Sequence, residues 1–74
     1  MILLKSNIGE LIQKSGLRKK FIAEKLGVSV KQLRNYETGH SLIPFDKAYI
    51  LAYLLNCKLD DFYTVIWGEW KDGK

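Results

Sequence analysis

Residues 19–37 read KKFIAEKLGVSVKQLRNYE and predict a helix, a tight turn and a second helix. Ala23 is small enough to let two crossing helices approach each other closely. Gly27 ends the first helix, because glycine adopts the left-handed backbone conformation without steric cost. Ser29 and Gln32 form an S-x-x-Q capping box at the start of the second helix. Two helices joined in this way are the form in which the second one enters a DNA major groove.

The whole chain predicts an all-α fold of five helices in one domain, residues 1–74, with its core at about residues 7–63. The predicted helices cover residues 7–14, 18–25, 30–38, 44–55 and 60–66. Asn7 and Glu10 form a second capping box, and Pro44 lies in the first turn of the fourth helix. Asn56 ends that helix, and two acidic residues begin the fifth, where the helix dipole favours them.

This order of elements resembles the Cro and lambda-repressor-like (XRE) helix-turn-helix proteins over roughly residues 7–63. The resemblance implies a compact lambda-repressor-like domain, in which the second and third helices form the helix-turn-helix. It also implies a sequence-specific, double-stranded DNA-binding transcription regulator, of the kind found as small repressors in phages and mobile elements. The residues that carry it are Ala23, Gly27-Val28-Ser29, Leu33, Glu37-x-Gly39, the helix after Pro44, and Leu59-Asp60-Asp61-Phe62.

The net positive charge of the chain lies in its first half. The net charge is +4, yet residues 1–37 hold eight Lys/Arg against three acids, and residues 38–74 hold four against five. A net charge of +5 therefore lies in the half that contains the helix-turn-helix. Basic charge focused on one region is typical of nucleic-acid binding.

The third helix has an inward face and an exposed face, and the resemblance implies that its exposed face reads bases. Lysine and arginine can donate to guanine, asparagine and glutamine can pair with adenine, and valine can pack on a thymine methyl group. The side chains predicted to contact bases are Val30, Lys31, Gln32, Arg34 and Asn35.

A conflict at the start of the second helix predicts phosphate binding. Three adjacent cations oppose the helix dipole there, whereas a bound phosphate would reverse the sign of that penalty. The resemblance adds donors beside the third helix, and it implies that Glu37 braces the motif by pairing with a basic side chain. The residues predicted to contact phosphate are Arg18, Lys19, Lys20, Ser29, Thr38, His40 and Ser41.

The sequence favours a protein that is not an enzyme and needs no cofactor, metal or small-molecule ligand. Cys57 is the only cysteine, and the resemblance implies that it occupies a core position, where a free thiol behaves as a small hydrophobic group. His40 has no acidic or cysteine partner at the spacing of metal ligands. The apolar opening of the chain is too short for a signal peptide or a membrane span. We expect a cytoplasmic, nucleoid-associated protein of a bacterium or phage.

The fourth helix is apolar almost all round, so more than one of its sides must be covered. Either the tail, residues 64–74, and the N-terminus fold over it, or it lies in a dimer interface. For the dimer, the predicted anchors are Tyr53, Ile66, Trp67 and Trp70. A homodimer on a palindromic operator fits the resemblance.

Two other functions stay open. A protein-interaction module, such as an anti-repressor or adaptor, would use the apolar fourth helix and tail. A non-specific nucleoid protein would contact phosphates without reading bases. Reversing the charges of Lys31 and Arg34 separates DNA binding from the protein-interaction function, because only the first depends on them.

Overall fold

The computed structural model describes residues 3–66, which form four α-helices, one 3₁₀ turn and a two-stranded sheet. The four predicted helices of the N-terminal part are confirmed to within one residue at each end. In chain order the elements are β1 (Leu3–Ser6), α1 (Ile8–Ser15), α2 (Lys19–Leu26), α3 (Val30–Thr38), α4 (Phe45–Leu55), the 3₁₀ turn (Leu59–Phe62) and β2 (Tyr63–Ile66).

Local signals in the sequence set the helix ends. Gly27 has a φ of 75° and closes α2, and its neighbour Val28 donates its N–H to the Ala23 carbonyl at 3.0 Å. Asn56 closes α4 with a φ of 55°, as predicted. The Ser29 hydroxyl accepts the N–H of Gln32 at 3.0 Å, which is the serine half of the predicted capping box. The turn between α2 and α3 is therefore fixed by residues within it.

The predicted capping box of Asn7 with Glu10 is wrong. Asn7 precedes α1 but makes no side-chain cap. Its amide instead donates to the Asp61 carbonyl at 3.2 Å and to the Thr64 hydroxyl at 2.8 Å. Its backbone N–H donates to the Phe62 carbonyl at 2.7 Å. Asn7 therefore joins the start of α1 to the C-terminal segment, a partnership that short-range sequence patterns do not reveal.

The fifth helix and the all-α fold class are also wrong. The chain forms the 3₁₀ turn and then β2, which pairs antiparallel with β1 so that Leu3 lies opposite Ile66 and Ser6 opposite Tyr63. Thr64, Val65 and Ile66 are all β-branched, and such residues favour strands over helices. A seven-residue helix would also be marginal by itself. Pairing with the N-terminal strand therefore decides the structure of this segment.

One hydrophobic core joins the helices to the 3₁₀ turn. α1 packs on α3 and α4, and α2 packs on the same two helices. Four apolar residues predicted to turn inward in the helix-turn-helix are buried, and the fifth, Val28, is half-buried against the core. Phe62 closes the core with 1% exposure. The buried side chains are Ile8, Ile12, Ile22, Ala23, Leu26, Leu33, Tyr36, Ile43, Ala48, Leu51, Ala52 and Phe62.

The outer face of α4 is not covered by residues 3–66. α4 buries Ala48, Leu51 and Ala52 against the core, while Tyr49 and Tyr53 on the other side are 66% and 86% exposed. Residues Leu3–Ser6 pair with β2, and β1 packs on α3. The predicted arrangement in which the tail and the N-terminus cover α4 stays a prediction, because residues 67–74 lie outside the described residues.

Candidate nucleic-acid interface

Helix α3 is held from one side and open on the other. Leu33 is 0% exposed and Tyr36 is 3% exposed, so these two residues fix the helix to the core. Val30 and Arg34 lie one turn apart on the opposite side, and Lys31 lies next to them. All three are exposed. The structure thus brings three of the five predicted base-contacting residues onto one solvent-facing surface, which we call the α3 face.

The other two predicted base-contacting residues lie at the margins of the α3 face. Gln32 and Asn35 are half-buried. An amide group of this kind can act as paired donor and acceptor for an adenine edge. The α3 face and its margins together present two cations, two amides and one small apolar side chain, which are residue types that can contact base edges in a major groove.

The loop after α3 directs its backbone donors inward. The N–H of Gly39 donates to the Tyr36 carbonyl at 3.3 Å, and that of Ser41 donates to the Asn35 carbonyl at 3.2 Å. The Thr38 hydroxyl donates to the Asn35 carbonyl and accepts the N–H of His40 at 3.4 Å. The groups that remain for a phosphate in this loop are the imidazole of His40, which is exposed, and the hydroxyl of Ser41.

The start of α2 exposes its three cations beside the helix-turn-helix. Arg18 precedes α2 and makes no side-chain cap, as expected for an arginine at that position. Lys19 and Lys20 lie in the first turn of α2. All three are exposed. Ser29 is exposed at the start of α3, and its hydroxyl proton is available to a phosphate because the oxygen serves as the acceptor of the cap. The predicted phosphate contacts stay predictions, with positions that suit them.

An ion pair links the start of α2 to the end of α3. The Lys19 ammonium lies 3.1 Å from Glu37 Oε1, and this is the one ion pair among residues 3–66. The Lys19 side chain is 48% exposed, whereas that of Glu37 is 10% exposed. Lys19 opposes the dipole of α2, and Glu37 opposes that of α3, so each charge offsets the penalty of the other. One of the three cations that predicted a phosphate site, Lys19, is thus paired with an acidic residue of the chain itself.

The carboxylate of Glu37 is only half satisfied. Its Oε2 is buried and has no hydrogen-bond partner among residues 3–66. The backbone of α1 approaches it at Gly9, where a Cβ atom would lie 3.7 Å from Glu37 Oε1. Sequence reasoning assigned Glu37 a bracing role but read Lys19 as a phosphate ligand. The resemblance implied a basic partner for Glu37, and the structure identifies that partner as Lys19, which lies 18 positions away and is brought near by the fold.

We expect Lys19→Met to destabilise the fold by about 1–2 kcal/mol, because it leaves a nearly buried carboxylate without a counter-charge. The lower part of the usual range applies, since Lys19 is half-exposed and solvent screens its charge. Glu37→Gln removes the negative charge of the carboxylate. The double variant, Lys19→Met with Glu37→Gln, should therefore be more stable than Lys19→Met alone. Urea unfolding of the three variants and the native chain measures this. Equal stability of the single and double variants would contradict it.

The reading of Cys57 as an inert thiol agrees with its surroundings. It packs against the core, as predicted, but it is half-buried, whereas the sequence predicted a buried thiol. Burial raises the pKa of the Cys57 thiol, and the charge of Asp61 raises it further. The thiol is therefore protonated at neutral pH, and a neutral thiol is a poor nucleophile.

The predicted dimer anchors fall into two groups. Tyr53 lies on the outer face of α4, and Ile66 ends β2 with 42% exposure. Trp67 and Trp70 lie outside the described residues. Sequence reasoning missed Tyr49 and Ile50, which are also exposed on α4. Their spacing of one helical turn from Tyr53 was the available signal.

No helix within residues 3–66 is long and apolar enough to cross a membrane.

Comparison with known proteins agrees with this geometry. A family model described as helix-turn-helix matches residues 8–62, which is most of the chain and includes α1 to α4 and the 3₁₀ turn. A comparison with curated protein sequences finds no match.

Proposed function

We propose, from the premise that this chain belongs to the XRE-type helix-turn-helix family, that it reads specific operator sequences with α3 in the major groove. The family consists of DNA-binding transcription regulators and not of enzymes. The observation that carries the finer proposal is the α3 face. It presents Lys31 and Arg34 to solvent, while the only acid of that helix, Glu37, points inward and is paired.

Phosphate contacts on both sides of the α3 face would set the register of the protein on the duplex. Such contacts position a protein without reading sequence. Arg18 and Lys20 carry charges that no carboxylate of residues 3–66 neutralises, and they lie on the element that precedes α3. Lys19 retains two ammonium protons for a phosphate while it holds Glu37. The proposed contacts thus include a cation whose position the fold already fixes.

The proposal includes two copies of the chain on a palindromic operator and repression by occlusion of polymerase. Two recognition helices related by a two-fold axis read half-sites about 34 Å apart. In this proposal the protein is a small repressor of phage or mobile-element type, bound to the nucleoid in the bacterial cytoplasm.

One observation favours a second function, the protein-interaction module. The exposed aromatic residues of α4 form a surface that contains none of the predicted DNA contacts. An anti-repressor or adaptor would bind its protein partner there. The two functions predict different effects of charge reversal on α3, because it should abolish DNA binding and leave binding to a protein partner intact.

Selection from a random duplex pool, followed by titration of the enriched site across salt concentrations, tests the proposal. We expect a palindrome, and log K should fall with log salt by about 0.9 for each phosphate contact. Asn35→Ala should cost about 1–3 kcal/mol on the enriched site and relax one base position. Lys20→Met is the matched comparison: it should reduce the salt slope by about 1 and leave the selected sequence unchanged.

Each other outcome of the selection contradicts the proposal in a distinct way. Salt-dependent binding without an enriched sequence would indicate an architectural protein. Absence of binding at low salt would transfer the function to the α4 surface and a protein partner.

A further inference from the structure

The outer side of α4 carries large apolar groups where a surface helix normally carries charges. Phe45, Tyr49 and Tyr53 follow one another at intervals of four residues, and Ile50 lies beside them; their exposures are 73%, 66%, 86% and 42%. We call these four residues the α4 face. Large contiguous apolar patches are rare on the exposed surfaces of soluble proteins, and those that occur usually mark an interaction site. Aromatic residues are also the commonest anchors of such surfaces.

The α4 face has both a projection and a depression. Near the start of the helix, the rings of Phe45 and Tyr49 stack with centroids 5.9 Å apart and stand out from the surface. Toward its end lies an open groove of about 540 Å³, lined by Tyr49, Ile50, Ala52, Tyr53 and Leu59. A surface with a projection and a depression side by side can fit a copy of itself that is turned by 180°.

We propose that the α4 face binds the α4 face of a second copy, with the two helices antiparallel. A two-fold axis between Ile50 and Tyr53 places each stacked pair over the groove of the other copy. This arrangement names the interface of the homodimer in the proposed function. It differs from the interface that the sequence predicted, because Ile66 and the sheet take no part in it.

Charge complementarity supports a second copy as the occupant. Asp46 is exposed in the first turn of α4, and Lys58 is exposed two residues after the helix-ending Asn56. Antiparallel pairing brings Asp46 of each copy to the end that bears Lys58 of the other, so the opposite charges meet twice. Neither residue has an ion-pair partner among residues 3–66. α4 also contributes no predicted DNA contact, so the face stays free when DNA is bound.

A charge-swap experiment tests the arrangement without DNA. Sedimentation over a dilution series measures self-association of the native chain, of Asp46→Lys and of Lys58→Asp. Each variant should weaken it about tenfold, because both cross-contacts become repulsive. An equimolar mixture of the two variants should recover the native affinity, since a mixed dimer has opposite charges at both contacts. Circular dichroism checks that each variant is folded, which the exposure of both positions favours.

Two apolar substitutions locate the surface. Tyr53→Ser should abolish self-association, and Ile66→Ser, the matched change on β2, should leave it unaltered. A chain that is monomeric at every concentration overturns the proposal. So does a dimer that Ile66→Ser dissociates and Tyr53→Ser does not, or a mixture of charge variants that stays as weak as its components.

The same variants separate this inference from the proposed function. Tyr53→Ser should bind a single half-site as well as the native chain does, because its α3 face is intact. A chain that dimerises as described but binds no DNA would refute the proposed function and leave the α4 interface standing.

Discussion

Replacing Lys31 and Arg34 together by glutamate should abolish binding to the selected operator. Both residues are exposed on the α3 face, so their replacement should not disturb the core. Loss of two base contacts costs about 1–3 kcal/mol each, which together lowers the affinity by roughly 30-fold to 10⁴-fold. The two new carboxylates would then face the phosphate backbone and weaken binding further. Fluorescence anisotropy with a labelled half-site duplex measures the effect independently of dimer formation.

The matched control has the same change in net charge at other places. Lys14 and Lys25 lie in the last turns of α1 and α2, are exposed, and lie outside the predicted contacts. Replacing both by glutamate should reduce affinity only modestly, through the long-range field, and that reduction should vanish at high salt. Equal losses in the two double variants would mean that total charge, and not the α3 face, governs binding. Unchanged binding by the α3 variant would favour the protein-interaction function.

The sequence predicts those parts of the fold that depend on neighbouring residues. Gly27 and Ser29 fix the turn between α2 and α3 through bonds that span three to five residues, and both were identified from the sequence. The structure of the C-terminal segment was not predicted correctly, because it depends on β1, about 60 residues away. A run that begins with two acids satisfies the local rules for a helix start, and only the distant strand decides against a helix.

The candidate interface divides in the same way. The inward and outward residues of α3 follow from helical periodicity, so the exposure of Lys31 and Arg34 was predictable. The partner of Lys19 was not, since Glu37 lies 18 positions away and the fold alone brings the two together. A charge that breaks a local rule therefore has two possible explanations, a ligand or a distant residue of the same chain. Here the structure supplies the second for one cation of the three.

Phe62→Ala should have the largest effect on stability. Its side chain is 1% exposed in the core, and its carbonyl accepts the N–H of Asn7 at 2.7 Å. Removing a buried phenyl ring costs about 3–5 kcal/mol, whereas the whole domain is stabilised by roughly 4–11 kcal/mol. A large fraction of the variant should therefore be unfolded at physiological temperature. Urea unfolding followed by circular dichroism measures the loss.

Phe21→Ala is the matched control, because its ring is 40% exposed on α2 with the Lys25 ammonium 5.4 Å from its centre. It should cost less than about 1 kcal/mol, most of it from that cation–π contact. If Phe62→Ala were no more destabilising than the control, the C-terminal segment would have to unfold separately from the helices. That outcome would also remove the strand pairing as a support of α1, since Asn7 connects the two. A large loss in a single transition would instead mean that the sheet, which local sequence patterns did not predict, belongs to the same cooperative unit as the helix-turn-helix.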